Sequence, residues 1–191
     1  MAKNLAMKRL TKDYNKLKND PIEHCWVLPF EDNFLSWHFM FELQDYPFEK
    51  CQVLCVIMFP SQYPMKAPDI KVLTPTGRFE VNRTICMTNT GYHSDSWSPL
   101  WSISNIIIGF ISSFNETQHG IGHLTDNDIS RKLYSGQSSE YNMECYPKIV
   151  TDLFSRGISK SVKEDGTSNT SETTTECDVK RRKLASGDST R

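Results

Sequence analysis

Apolar residues first recur as Ala6, Leu10, Tyr14 and Leu17, one face of a helix, while Lys8, Arg9, Lys12 and Lys16 fall off that face. Pro21 closes the segment, because proline disfavours helix at the residue before it. The period then shortens to two. "CWVL" (25–28) reads as a short strand stopped by Pro29. Over 34–43, Leu35, Trp37, Phe39, Phe41 and Leu43 alternate and share one face of a second strand. "CQVLCVIMF" (51–59) is apolar in both phases, which predicts a central strand covered on both sides. "DIKVL" (69–73) is a fourth. "QDYPFEK" is a turn, and "PSQYPMKAP" (60–68), with three prolines, is a rigid loop. Strands this close in sequence predict an antiparallel meander.

Residues 74–99 keep neither period, and long irregular stretches inside a compact domain commonly carry function. A helix resumes over 101–114, and two more are expected near 125–136 and 139–155. From Ile158 onward the chain is Ser, Thr, Glu and Lys with few apolar residues, the composition of a disordered tail. The expectation is one α+β catalytic core domain over 1–157 and a polar tail over 158–191. The core is an N-terminal helix, a four-stranded antiparallel meander, a long cysteine-bearing loop and C-terminal helices.

Composition narrows the classes. Of 191 residues 38% are hydrophobic and 11% aromatic, enough for one core, and the formal net charge of -1 gives no global field toward nucleic acid or membrane. The N-terminus has no apolar signal-like run. No window approaches the ~20 apolar residues of a spanning helix; "ISNIIIGFISSF" is short and interrupted by Ser, Asn and Gly. The six cysteines include no CxxC pair, and Cys51 and Cys55 share a strand face, poor geometry for zinc. Without a secretory signal the cysteines read as reduced, in an intracellular protein. "KRRK" (180–183) is a weak nuclear-import-like cluster whose preferred reading is solvated tail.

The richest chemistry lies in "RTICMTNTGYHSDSWSPLW" (83–101), which holds Cys86. A nucleophilic cysteine needs access, thiolate character and donors for the oxyanion it creates. Thr76, Asn82, Thr84, Thr88, Asn89 and His93 are donors near it in sequence. A buried, inert thiol is an equal alternative on these grounds. A metal site of Cys86, His93 and Asp95 lacks an apparent fourth ligand.

Residues 63–110 add a pattern: a YPxxxP loop, a single cysteine in a long loop, and a WSP step into a helix beginning at a second aromatic. Together these resemble the catalytic core of ubiquitin-conjugating enzymes over about residues 5–155. "TPTGRF" (74–79) and "YHSDSWSPLWS" (92–102) are similar to the TPNGRF motif and HPxxWxPxWS segment of the class serving ER-associated degradation. The resemblance implies that Cys86 takes ubiquitin from the activating enzyme as a thioester and passes it to a substrate lysine, or a Ser or Thr hydroxyl, with no cofactor or metal. It implies that Thr76 stands where the family has its oxyanion-supporting Asn, with Asn82 or Asn89 as a substitute donor. It makes His93 and Asp95 candidates to orient or deprotonate the acceptor. Lys8, Arg9 and Lys12 are expected to meet the activating enzyme, and Met65, Ser98, Pro99 and Leu100 a RING-type ligase. Two departures stand out: Thr76 is shorter than Asn, and His93-Ser94 replaces His-Pro. Relatives of that class end in a membrane anchor that this chain lacks, which points to the cytoplasm, with the cytosolic face of the ER reached through partners and the nucleus as a further site. The alternatives are a conjugating-enzyme-like module that binds ubiquitin or ligases without transfer, and a Cys86/His93 hydrolase, which lacks a recognisable third residue.

Overall fold

The computed structural model describes residues 2–86, 97–115 and 122–160. Helix α1 (Ala2–Asn19) leads into strands β1 (Cys25–Pro29), β2 (Ser36–Glu42), β3 (Gln52–Met58), β4 (Asp69–Val72) and β5 (Thr84–Cys86). Then come α2 (Ile103–Ser112), a 3-10 turn (Ser113–Asn115), α3 (Asp128–Cys145) and α4 (Pro147–Arg156). The strands lie in chain order, each antiparallel to the next. The expected meander is present, and it carries a fifth strand beyond the four expected. Thr84–Cys86 is three residues long, too short for alternation to show in the sequence.

The two-faced reading of β3 holds. Val53, Cys55 and Ile57 join Trp37, Phe39 and Phe41 of β2, Ile70 and Val72 of β4 and Ile85 of β5 in the main core. Ala6, Leu10 and Leu17 of α1 and Ile103, Ile106, Ile107 and Phe110 of α2 complete it. On the other face Met40 and Leu54 pack with Leu73 and with Val150 and Leu153 of α4. Full burial of one such side chain contributes roughly 1.5–3 kcal/mol relative to exposure.

Helix α2 starts at Ser102, whose hydroxyl accepts from the Asn105 N–H, and α3 at Asn127, whose side chain accepts from the Ser130 N–H. The sequence placed a break near residues 136–139; the break lies at Tyr146-Pro147 instead. The serines do not interrupt α3. Ser135 and Ser138 are buried, and their hydroxyls donate to carbonyls of their own helix, Arg131 and Ser135. Pro147 occupies the first turn of α4 and forces the stop. Ile158 forms an antiparallel bridge with Val27 of β1. Among the described residues Cys25, Cys51 and Cys55 are free thiols. No described helix is long and apolar enough to cross a membrane.

His38 sits on the α4 side of β2, 8% exposed, with the Phe30 ring centroid 3.9 Å away. Burial lowers its pKa from 6.5 to about 4, against a weaker opposing pull from Asp152. The folded chain therefore holds neutral imidazole while the unfolded chain protonates below pH 6.5. The resulting stability is complete above pH 6.5 and is lost as pH falls toward 4, on the order of 3 kcal/mol. Urea titrations across that range should show His38→Gln losing markedly less stability with falling pH than the parent chain. Parallel curves would remove His38 as the cause.

Candidate functional site

Strand β4 ends in a built turn. The Leu73 N–H still donates to the Leu54 carbonyl at 2.8 Å, and then the main chain leaves the ladder. The Thr74 hydroxyl takes over: it accepts from the Leu54 N–H at 2.8 Å and donates to Asn142 Oδ1 at 2.7 Å. Asn142 Nδ2 donates to the Gln52 carbonyl at 2.8 Å, and the Gln52 N–H donates to the Ser138 hydroxyl at 2.9 Å. A strand terminus is thus satisfied by side chains rather than water.

Beyond Thr74 the chain runs through Pro75 to Thr76, fully buried, whose hydroxyl accepts from the Arg78 N–H at 3.2 Å. Gly77 has φ +71, and a Cβ there would lie 3.0 Å from Asp126 Oδ2 and 3.2 Å from Arg131 Cγ. Only glycine suits both constraints. Arg78 is buried, and its Nε and Nη2 donate to the Ser113 carbonyl at 3.2 and 3.0 Å. Phe79 packs on Phe110, Phe114 and His123. Residues 78–80 also pair with 122–124: the Glu80 N–H donates to Gly122 O and the Leu124 N–H to Arg78 O. Asn82 is exposed at φ 63, with its N–H on the Val72 carbonyl at 2.8 Å. The chain then enters β5, where Cys86 is in register with Asp69.

Three other cysteines are unsuited to nucleophilic work. Burial pushes the Cys25 thiol up to about 12 and Cys51 up to about 11, and Cys55 well above the ordinary range. A thiol so raised has almost no thiolate at neutral pH.

A second cluster lies at α1. Lys8 and Lys12 are exposed, but Arg9 is not a free cation. Its Nε pairs with Asp13 at 2.9 Å, and its Nη1 and Nη2 donate to the carbonyls of Pro99 and Trp101. It also lies over the Tyr63 ring, 5.9 Å from the centroid. Trp97 Nε1 donates to the Pro64 carbonyl at 2.7 Å, and Trp97 packs against Tyr63 and Trp101. The 60–68 and 97–101 loops are therefore stitched together and to α1. They present Met65 (66% exposed) and Leu100 (88% exposed) outward, beside Ser98 and Pro99.

The structure thus brings Met65, Ser98, Pro99 and Leu100 to one pair of loops and puts Thr76 and Asn82 in the connection leading to Cys86. His93 and Asp95 lie outside the described residues, as do Thr88 and Asn89. Sequence reasoning missed Thr74, Arg78 and Asn142. One signal was available: an arginine between Gly77 and Phe79 in a segment whose other side chains are small or apolar.

A family model described as ubiquitin-conjugating enzyme matches residues 9–145. Ubiquitin-conjugating enzyme E2 6 of Eremothecium gossypii is 35% identical over 143 residues, 74% of this chain and 59% of that protein. Ubiquitin-conjugating enzyme E2 J2 of Mus musculus is 32% identical over 155 residues, 78% of this chain and 60% of that one. Ubiquitin-conjugating enzyme E2 6 of Schizosaccharomyces pombe is 32% identical over 151 residues, 78% of this chain and 66% of that one. The chain thus spans 59–66% of the length of these relatives.

The turn geometry makes a paired prediction. Gly77→Ala should lower stability by about 1–3 kcal/mol through its left-handed backbone and the Asp126 contact. Gly136→Ala, on α3 with nothing within 4 Å of the added Cβ, should raise it by about 0.5–1 kcal/mol. Urea midpoints for the two variants check both signs.

Proposed function

This chain belongs to the ubiquitin-conjugating enzyme family, and we propose from that premise that it carries ubiquitin on Cys86. The Cys86 thiolate attacks the thioester carbonyl of ubiquitin held by the activating enzyme. That enzyme's thiolate leaves, and ubiquitin is joined to Cys86. A lysine amine of a protein substrate then attacks the new thioester; the carbon–sulfur bond breaks, Cys86 leaves as thiolate and the amine's proton passes to a base. His93 and Asp95 are our candidates to orient or deprotonate that amine. The observations behind the reading are the burial of three other cysteines and the place of Cys86 in the chain. Cys25, Cys51 and Cys55 are buried with raised thiols, while Cys86 follows the anchored 74–83 connection within the matched region.

A thioester is already a good electrophile, so orienting the acceptor and supporting the oxyanion are the main tasks left to the protein. Thr76 accepts one hydrogen bond within its turn and keeps its own proton to donate. Asn82, exposed at the end of that turn, is the second donor we assign. A RING-type ligase docks on Met65, Ser98, Pro99 and Leu100, since a few exposed apolar side chains on braced loops carry most of such an interface. The TPTGRF motif supports a place in protein quality control, ER-associated degradation in particular, at the cytosolic side of that membrane. One observation favours the non-transferring module instead: Thr76 is fully buried, with its hydroxyl turned to the Arg78 N–H of its own turn.

Incubation with activating enzyme, ATP and ubiquitin, read on reducing and non-reducing gels, separates the two. Wild type should form a thiol-labile adduct, and Cys86→Ser either none or a thiol-resistant ester. A thiol-labile adduct on Cys86→Ser would place the nucleophile elsewhere, and no adduct on wild type would favour the binding module.

Lys8 and Lys12, exposed on α1, are proposed to steer the activating enzyme, an effect that salt screens. Lys8→Glu with Lys12→Glu should slow charging about tenfold at low ionic strength, with the gap closing as salt rises and discharge unaffected. Arg9 is left intact, because its loss would release the 97–101 loop. Equal charging rates at every ionic strength would remove α1 from that interface.

A further inference from the structure

Asn142 is fully buried, yet it lies on α3, 56 positions beyond Cys86 in the chain and outside the 63–110 pattern. Both ends of its amide are used. Oδ1 accepts from the Thr74 hydroxyl at 2.7 Å, and Nδ2 donates to the Gln52 carbonyl at 2.8 Å. The first bond holds the residue that opens the 74–79 turn; the second holds the start of β3. The Thr74 hydroxyl also receives the Leu54 N–H, so one relay runs from the strand backbone through Thr74 to Asn142. At the far end of the turn, Arg78 is fixed to the Ser113 carbonyl. Pro75, Thr76 and Gly77 are therefore suspended between two buried polar anchors, and Asn142 is half of the first.

We propose that Asn142 is a positioning residue for ubiquitin transfer: by clamping Thr74 it fixes where Thr76 stands when the Cys86 thioester is attacked. This rests on the transfer reading given above. The physical case is that a buried amide serving only as filler would be an expensive choice. Its two bonds are what justify burying it, and a leucine of similar volume would leave the Thr74 hydroxyl and the Gln52 carbonyl without this partner. The Asn142–Thr74 bond joins α3 to the catalytic turn directly, and a misplacement of about 1 Å in such a support can cost up to 10²-fold in rate.

The test compares charging with single-turnover discharge to free lysine in the 191-residue chain, at a temperature where circular dichroism shows each variant folded. Asn142→Leu should charge within about twofold of wild type and discharge about tenfold slower. Thr74→Val, which removes the other partner, should show the same split, and Thr74→Ser, which keeps the hydroxyl, should restore discharge. The double variant Thr74→Val with Asn142→Leu should be no slower than either single one, as expected of two residues acting through one bond. If Asn142→Leu does not fold, the Thr74 pair decides the matter. Unchanged discharge in the charged Thr74→Val and Asn142→Leu variants, with only thermal stability reduced, overturns this inference and leaves the transfer reading standing. A wild-type chain that forms no thiol-labile adduct overturns both.

Discussion

Strand β3 has apolar side chains on both of its faces, and the rest of the chain is arranged to keep water from either one. Val53, Cys55 and Ile57 are covered by α1 and α2, and Leu54 by α4. The chain must therefore pass from one side of the sheet to the other after α2. Helix α3 makes that passage, running by the starting end of β3 rather than across a face. This explains its unusual buried side. It meets the N–H and C=O of Gln52, so the residues it turns inward include Ser138 and Asn142, which can bond a backbone as a leucine cannot.

The same passage builds the support of the 74–79 turn. Entry into the 74–79 segment is fixed by Thr74 and Asn142, its exit by Arg78 on Ser113 and by the pairing of 78–80 with 122–124. Burying a threonine, an asparagine and a guanidinium is costly unless each finds partners. The bonds they make offset that cost, and only a single arrangement of the turn satisfies them together. Rigidity upstream of Cys86 is thus obtained from polar contacts, while rigidity of the sheet comes from apolar ones.

At α1 the arrangement is different in kind. Arg9 spends its charge inside the molecule, on Asp13 and on two carbonyls of the 97–101 loop. The helix is thereby tied to the loops that present Met65 and Leu100. Of the basic residues first assigned to a partner, only Lys8 and Lys12 remain in solvent, so one cluster of three cations divides into a structural and a surface role.

The sequence alone determined the elements whose pattern is local: α1, the first four strands, the two-faced β3, the prolines of the 60–68 loop, and the family motifs around Cys86. Each follows from spacing over a handful of residues, because a period of 2 or 3.6 is a property of neighbours. Helix α3 shows where that reasoning fails. Its exposed side carries Ile129 and Leu133 while its buried side carries Ser135, Ser138 and Asn142 beside Tyr141, a largely polar set that hydrophobic periodicity does not assign. Nor could spacing reveal that Arg9 meets residues about 90 positions away, or Asn142 a threonine 68 positions away. Those pairings exist only once the sheet has formed and has left specific backbone groups without partners, so they are decided by the tertiary structure, where an unpaired buried group costs more than a polar side chain placed to meet it.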